Sequence, residues 1–262
     1  MNAKIKNFTS RLLVIVVCVI ALALVLPAPV SAILQIDVFV EDSVNTGINY
    51  HNVIVDGGPG DTDNAVNNQI NLGSNFEPIP DFIVQGSFHT SKAGGLNLLT
   101  SGSSAVNNNR ATNTHVTVAV SDTDFKPKAS LADVTGSGTF TGAIGSVIHL
   151  HYYDDPNNVQ GANSLVGVLT PGDLIASFDH TANTALNSFS FDQSNIAVTD
   201  DNKYSMTLYF DFSLTPGGQL TSRGQSMFKP IAPVPEFPSV ALPAAMVIGL
   251  LGVMLFVRRT KE

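Results

Sequence analysis

Residues 204–213, Tyr-Ser-Met-Thr-Leu-Tyr-Phe-Asp-Phe-Ser, form the stretch that decides the fold class. Large apolar or aromatic side chains stand at Tyr204, Met206, Leu208, Phe210 and Phe212, and the positions between them are mostly small or polar. Successive side chains of a strand point to opposite faces, so a period of two predicts a strand with one buried face. A helix would need a period of 3.6, which this stretch lacks.

The same alternation recurs along the chain between residues 33 and 231, and clusters of Gly, Pro, Asn and Asp separate the strands it predicts. No long stretch has a helical period. Many short strands with turn signals are typical of an antiparallel β-sandwich, so the predicted fold class is all-β. The glycine-flanked Gly136-Ser137-Gly138 is interpreted as a turn. The predicted strands lie within Ile36–Glu41, His51–Val55, Phe82–Thr90, Val116–Ser121, Ile148–Tyr153, Leu174–Phe178, Leu186–Phe191 and Tyr204–Ser213.

The N-terminal segment, residues 1–32, has the three parts of a secretory signal peptide. Lys4, Lys6 and Arg11 precede an unbroken apolar run at residues 12–26, and Val30-Ser31-Ala32 supplies the small residues that signal peptidase requires. We predict export through the secretion translocon and cleavage between Ala32 and Ile33. An uncleaved signal anchor is the alternative, and it would leave the following residues on the same side of the membrane.

The C-terminal end is organised as a stalk, a membrane helix and a basic tail. Residues 232–239 are rich in proline, which stiffens a linker. Residues 240–257 are uncharged, and a run of about 18 apolar residues predicts a transmembrane helix. Residues 258–262 contain three basic side chains, which the positive-inside rule places in the cytoplasm. The region between the two apolar ends is therefore predicted to be outside the cell.

Pro235-Glu236-Phe237-Pro238, the apolar helix that follows and the terminal Arg258-Arg259 together resemble the PEF-CTERM sorting signal of archaeal surface proteins. The resemblance implies an archaeosortase as partner, a membrane-embedded cysteine transpeptidase that cuts near Glu236-Phe237 and transfers the new C-terminus to a membrane lipid. In that case the tail is an address that is later removed, as in a GPI signal. A plain single-pass anchor is the alternative. The exposed domain loosely resembles domains of bacterial PEP-CTERM proteins, which share no single activity.

Composition excludes several classes of function for the exposed region. Residues 33–235 contain seven Lys and Arg and 19 Asp and Glu, a net charge of −12. Such a surface disfavours nucleic acid, because phosphates require basic partners. The one cysteine, Cys18, lies in the leader, so disulfides and thiolate chemistry are not expected in the exposed domain.

An acidic loop is the best candidate for a metal site. Asp56, Asp61, Asp63 and Asn64 lie in a glycine-rich stretch, and calcium takes several oxygen ligands from a flexible loop. The spacing matches neither an EF-hand nor a calcium-binding repeat, and an acidic surface turn is the favoured alternative because Gly, Asp and Asn are common in turns. No other cofactor is predicted.

A histidine pair is the second candidate. His149 and His151 are two residues apart on a predicted strand, a spacing that suits zinc or copper, but no third ligand is visible and two exposed polar side chains are the favoured reading. Two aspartate pairs, Asp122/Asp124 and Asp154/Asp155, could join a calcium site but are more simply strand-end residues. Catalytic signatures of hydrolases, zinc proteases and NTPases are missing from the sequence, so the chain is not predicted to be an enzyme.

These features predict a surface protein anchored to the cell membrane, with a structural or adhesive role in the envelope. The alternative is a surface module that binds carbohydrate, calcium or a partner protein, and a secreted hydrolase is the third hypothesis. The ligand of the exposed domain is not predicted.

Overall fold

The computed structural model describes residues 33–44, 49–92, 97–126, 129–161, 172–198 and 203–230. Twelve β-strands span these residues, and no helix in the described ranges has the length and apolarity that a membrane crossing needs. The predicted signal peptide (1–32), stalk (232–239), transmembrane helix (240–257) and tail (258–262) lie outside the described residues. The strands are β1 (Gln35–Asp42), β2 (Asn49–Val55), β3 (Gln69–Leu72), β4 (Phe82–Ser91), β5 (Asn97–Asn108), β6 (Thr114–Phe125), β7 (Ala129–Thr141), β8 (Val147–Asp155), β9 (Asp173–Thr181), β10 (Leu186–Ala197), β11 (Tyr204–Leu214) and β12 (Gln219–Pro230).

The strands form two six-stranded sheets. Sheet A has the order β2-β1-β6-β11-β8-β9, and sheet B has the order β10-β7-β12-β5-β4-β3. Every strand pair in the two sheets is antiparallel. The prediction of an all-β, antiparallel sandwich is confirmed.

The core lies between the sheets and consists of the apolar side chains that occupy alternate positions in the strands. In β11, Met206, Leu208 and Phe210 are at most 4% exposed, and β6 and β8 flank this strand in the centre of sheet A. Their apolar faces point to sheet B, because burial of hydrocarbon is the main force that holds two sheets together. Tyr204 stacks between Phe125 and Phe228 at ring-centre distances of 5.7 and 5.3 Å, which joins the two sheets at one end.

Sheet B faces this core with unusually small residues. A Cβ atom added at Gly136 would lie 2.7 Å from Leu150 Cδ1 and 2.8 Å from the Tyr152 hydroxyl, and one at Gly224 would lie 3.0 Å from Phe210 Cζ. The Tyr152 hydroxyl donates a hydrogen bond of 2.7 Å to the Thr135 carbonyl. Large side chains of sheet A therefore fill space that glycines of sheet B leave.

The reading of residues 136–138 as a turn is wrong. These residues lie in the middle of β7, paired with β10 on one side and β12 on the other. Glycine is unfavourable within a strand unless another group approaches its backbone closely, and here the side chains of Tyr152 and Phe189 do so.

Candidate functional site

The predicted sorting residues, Pro235, Glu236, Phe237, Pro238, Arg258 and Arg259, lie outside the described residues, as does Ala32. Ile33 is the first described residue. Its carbonyl accepts a hydrogen bond of 3.0 Å from the Gln160 side chain, and Leu34 beside it is 1% exposed. The predicted cleavage site is therefore followed at once by the folded sandwich.

The acidic loop between β2 and β3 is held by its own backbone. Asp56 accepts hydrogen bonds from the amides of Asn67 (3.2 Å) and Asn68 (2.7 Å). Asp61 accepts from the amides of Gly57 and Asn71, both at 3.0 Å. Both aspartates are 3% exposed, so these bonds compensate carboxylates that burial has removed from water.

Asp63 and Asn64 lie on the exposed side of the same loop. The side chain of Asn67 donates to Asp63 Oδ2 at 2.9 Å, and this bond, with that from the Ala65 amide, lowers the pKa of Asp63. Asn64 has a left-handed backbone with φ of 51°, as turns require. Within the described ranges, no three His, Cys, Asp or Glu side chains are grouped so as to hold a metal ion. Calcium binding by this loop stays a prediction.

The two remaining aspartate pairs are resolved as parts of strands. Asp122 is fully buried and contacts Lys92 Nζ at 2.8 Å, whereas Asp124 contacts Lys203 Nζ at 2.8 Å. The backbone of Asp124 is left-handed, with φ of 63°, so the strand is not regular here and the two carboxylates meet different lysines. Asp154 and Asp155 end β8, and Asp155 Oδ1 accepts from the Asn157 amide at 2.8 Å in the turn that follows.

The outward face of sheet A gathers four of the six histidines of the chain. Three of them pair with an aspartate of the same face, and the pairs occur on neighbouring strands. Sequence reasoning identified His149 and His151 but missed their partners, because these come from strands distant in the sequence and depend on the register of the sheet. The contacts are His51 Nε2 to Asp37 Oδ1 (2.8 Å), His115 Nε2 to Asp211 Oδ1 (2.6 Å) and His149 Nδ1 to Asp179 Oδ1 (2.6 Å).

The titratable side chains of this face differ in the direction in which their surroundings shift the pKa. The hydrogen bond that His115 donates to Asp211 raises the pKa of His115, whereas burial lowers the pKa of His151, which has no aspartate in direct contact among the described residues. Burial also raises the pKa of Asp37, which is 1% exposed beneath His51. Nδ1 of His151 instead lies 3.3 Å from the Tyr153 hydroxyl.

An aromatic cluster adjoins the histidines. The rings of His151 and Tyr209 stack across β8 and β11 with centres 5.8 Å apart and planes 9° apart. Tyr153 stands edge-on to both, at 6.1 and 6.2 Å. We refer to His115, His149, His151, Tyr153, Asp179, Tyr209 and Asp211 as the histidine face.

A groove crosses the outward face of sheet B. It consists of two adjoining depressions, of about 450 and 670 Å³, which share Gly102, Ser137 and Arg223. Arg223 Nε donates to Ser137 Oγ at 3.0 Å. Hydroxyl and amide side chains dominate the rest of the lining, with Asp192 and His89 at one end. The hydroxyl and amide side chains belong to Thr100, Thr135, Thr139, Ser188, Ser190, Thr221 and Gln225.

Comparison with known families identifies the end of the chain. Residues 234–259 match the family model described as the PEF-CTERM archaeal protein sorting domain. The chain carries a PEF-CTERM sorting signal. The match contains Pro235-Glu236-Phe237-Pro238, the apolar run and Arg258-Arg259, so the resemblance inferred from the sequence is confirmed. A PEF-CTERM signal indicates a surface-exposed protein anchored to the membrane.

Solved structures similar to this chain include two carbohydrate-binding modules and an adhesin domain. TmCBM61, solved with β-1,4-galactotriose, is 16% identical (TM-score 0.30, 60% of this chain and 91% of that chain). The family 11 module of Clostridium thermocellum is 11% identical (TM-score 0.27, 62% and 96%). The K3 cleaved adhesin domain of Lys-gingipain from Porphyromonas gingivalis is 11% identical (TM-score 0.26, 73% and 91%). No curated protein matches the chain. Similarity at this level assigns no function.

Proposed function

We propose that this protein is exported by its N-terminal signal peptide, processed by an archaeosortase near Glu236-Phe237 and attached to a membrane lipid. The observation that carries the proposal is the match of residues 234–259 to the PEF-CTERM sorting domain. The β-sandwich is then displayed on the cell surface, where its role is structural or adhesive. The acidic, cysteine-free composition suits a domain that folds outside the cell without disulfides.

The sorting step is tested by replacing Glu236 and Phe237 with alanine. The apolar run at residues 240–257 still inserts in the membrane, whereas the transpeptidase loses its recognition site. The variant should be exported but should retain residues 238–262, which intact-mass measurement of membrane fractions detects. Ser239→Ala, which lies next to the motif, is the matched control and should be processed normally. If the wild-type protein also retains residues 238–262, it is an ordinary single-pass protein.

A second candidate function is the binding of a neutral polysaccharide in the groove of sheet B, without hydrolysis. The observation that favours it is the lining, which is rich in hydroxyl and amide groups on a protein that is otherwise strongly acidic. Such groups both donate and accept hydrogen bonds, as sugar hydroxyls do, and the volumes fall in the range of ligand sites. Arg223, at the junction of the two depressions, adds directional donors.

This second candidate is tested by affinity electrophoresis in gels that contain galactan, mannan or mixed-linked glucan. Ser137→Trp should fill the junction of the depressions and lower the affinity at least tenfold. Arg223→Ala removes the directional donors and should also lower the affinity at least tenfold. Ser213→Trp, on the outward face of sheet A, is the control and should bind as the wild type does. Equal retardation of all variants would rule out the groove, and release of reducing sugars would show a hydrolase instead.

A further inference from the structure

The histidine face contains the geometry of a site for a transition-metal ion. His149 and His151 are the first and third of three successive residues of β8, so both side chains project from the same face of sheet A. Their ring centres are 6.4 Å apart with the planes inclined by 42°. Two imidazoles that bind one ion at about 2.0–2.1 Å have ring centres roughly 5–6 Å apart, so a small rotation of the side chains suffices.

Asp179 prepares His149 for this role. Its carboxylate contacts His149 Nδ1 at 2.6 Å, which places the proton on Nδ1 and leaves the lone pair of Nε2 free to bind. Ligating histidines commonly donate their other N–H to a carboxylate in this way, since the bond fixes the tautomer and raises ligand basicity. The side chain of His149 is 42% exposed, so an ion can reach it from solvent.

His151 is prepared differently. Its Nδ1 lies 3.3 Å from the Tyr153 hydroxyl, and its ring is held by the stack with Tyr209. The carboxylates of Asp179 and Asp211 both act on His151 electrostatically, and such negative charge also favours a cation nearby.

We propose that His149 and His151 bind one divalent transition-metal ion of the Cu²⁺ or Zn²⁺ type through their Nε2 atoms. Asp179 acts as a positioning residue for His149, and water completes the coordination. Imidazole nitrogen suits these ions, whereas Ca²⁺ and Mg²⁺ require oxygen ligands. The site is formed by strands of sheet A, whereas the groove is formed by strands of sheet B, so the proposal does not depend on the proposed function.

His51 provides an internal comparison. It pairs with Asp37 at 2.8 Å on the same sheet face, through Nε2 where His149 uses Nδ1, and it lies on β2 with no second histidine two residues away. A carboxylate-supported single imidazole binds a metal ion more weakly than a chelating pair, because the second ligand binds at high effective concentration. His51→Ala therefore controls for non-specific binding to a histidine–aspartate pair.

The test uses the full chain purified in detergent, with Cys18→Ser to remove its one thiol. CuCl₂ and ZnCl₂ are titrated separately at pH 7.5 by calorimetry, and the Cu²⁺ complex is examined by electron paramagnetic resonance. We expect one ion per chain, two equivalent nitrogen couplings, and no competition from a hundredfold excess of CaCl₂. His149→Gln and His151→Gln should each weaken binding at least tenfold, Asp179→Asn roughly 10- to 100-fold, and His51→Ala less than twofold.

The double variant His149→Gln/His151→Gln decides the outcome. If it binds Cu²⁺ or Zn²⁺ with the wild-type affinity, the proposal is wrong, and it is equally wrong if His51→Ala loses as much affinity as His149→Gln. Circular dichroism melting accompanies each variant. Because both histidines are partly exposed, we expect melting temperatures within a few degrees of the wild type. Asp179→Asn leaves both histidine ligands in place, so it gives a second readout that does not depend on the histidine variants.

Discussion

At the scale of single residues, the fully buried Asp122 is a carboxylate that requires a charged partner. Its side chain is 1% exposed, and burial raises its pKa although Lys92 Nζ, at 2.8 Å, opposes the shift. Lys92 Nζ also lies 4.9 Å from the centre of the Phe125 ring, which provides a cation–π contact. One lysine therefore compensates a buried charge and covers an aromatic residue of the core.

We expect Lys92→Met to destabilise the fragment of residues 33–232 by about 3 kcal/mol at pH 7, because it leaves an unpaired buried carboxylate. Since the pKa of Asp122 is raised in the folded state, the folded state takes up a proton more readily than the unfolded state, and the loss should shrink as the pH falls towards 4. Urea denaturation at pH 7 and pH 4.5 measures both effects. The double variant Lys92→Met/Asp122→Asn should recover much of the stability, and a double variant as unstable as the single one would contradict this explanation.

The His115–Asp211 pair predicts a dependence of the opposite kind. The folded-state pKa of His115 is raised, so the stabilisation is fully present below its ordinary pKa of about 6.5 and is lost as the pH rises through the folded value. Both side chains are partly exposed, so the effect should be small, about 0.5 kcal/mol. His115→Asn should therefore cost more stability at pH 5.5 than at pH 8.5, as urea denaturation would show. Asp211→Asn is the matched variant and should remove the same pH dependence of stability. If His115→Asn costs the same stability at both pH values, the pair does not contribute the expected pH dependence.

At the scale of elements, the loop between β2 and β3 is a self-contained acidic turn. Its two buried aspartates accept four backbone hydrogen bonds of 3.2 Å or less, which link both ends of the loop. Asp63 adds bonds to the side chains of Asn67 and Asn71. Local hydrogen bonds of this kind are sufficient to order a turn.

Calcium binding by this loop would appear as thermal stabilisation. If Asp56, Asp61 and Asp63 converge on an ion that binds only the folded state, calcium at a hundredfold excess over Kd should raise the stability by about 2.7 kcal/mol. Extracellular modules bind calcium at about 10⁻⁴–10⁻³ M, so melting curves should be recorded up to several tens of millimolar and with chelator. The shift should vanish in Asp61→Asn/Asp63→Asn. Curves that do not change with calcium would leave the loop as a hydrogen-bonded turn.

At the scale of the whole molecule, a predicted leader and the PEF-CTERM match flank the sequence of one sandwich. The predicted leader ends at Ala32, and the PEF-CTERM match begins at residue 234, four residues after β12 ends. The described ranges between residues 33 and 230 all belong to this one sandwich.

Signal cleavage should produce a mature chain that begins at Ile33. The physical reason is the small-residue site at residues 30–32 after a proline-broken apolar run. N-terminal sequencing of the membrane-associated protein measures this directly. Ala32→Tyr should block cleavage and leave Met1 in place, whereas the neighbouring Leu34→Val should not; a wild-type protein that retains Met1 would show an uncleaved anchor.

The sequence by itself determined the sorting signal, the fold class and the main part of all six strands of sheet A. Short address motifs are read locally, and β11 shows its buried face in its own alternation, because large apolar residues occupy each inward position. Fewer strands of sheet B were predicted from the sequence. Strands β3, β5, β7 and β12 of this sheet were not predicted. In β5 and β12, inward positions such as Ser104, Ser222 and Gly224 are small and become buried only where side chains of sheet A fill the space.

Only the tertiary structure decided the two candidate sites. The groove depends on strands β5, β7, β10 and β12 lying side by side, and the histidine face depends on the register that brings Asp211 and Asp179 to either side of His149. A shift of one residue in that register would turn these side chains to the opposite face. Register is set by the packing of the whole sandwich, so residues 30 or more positions apart in the chain cannot be paired by a local pattern.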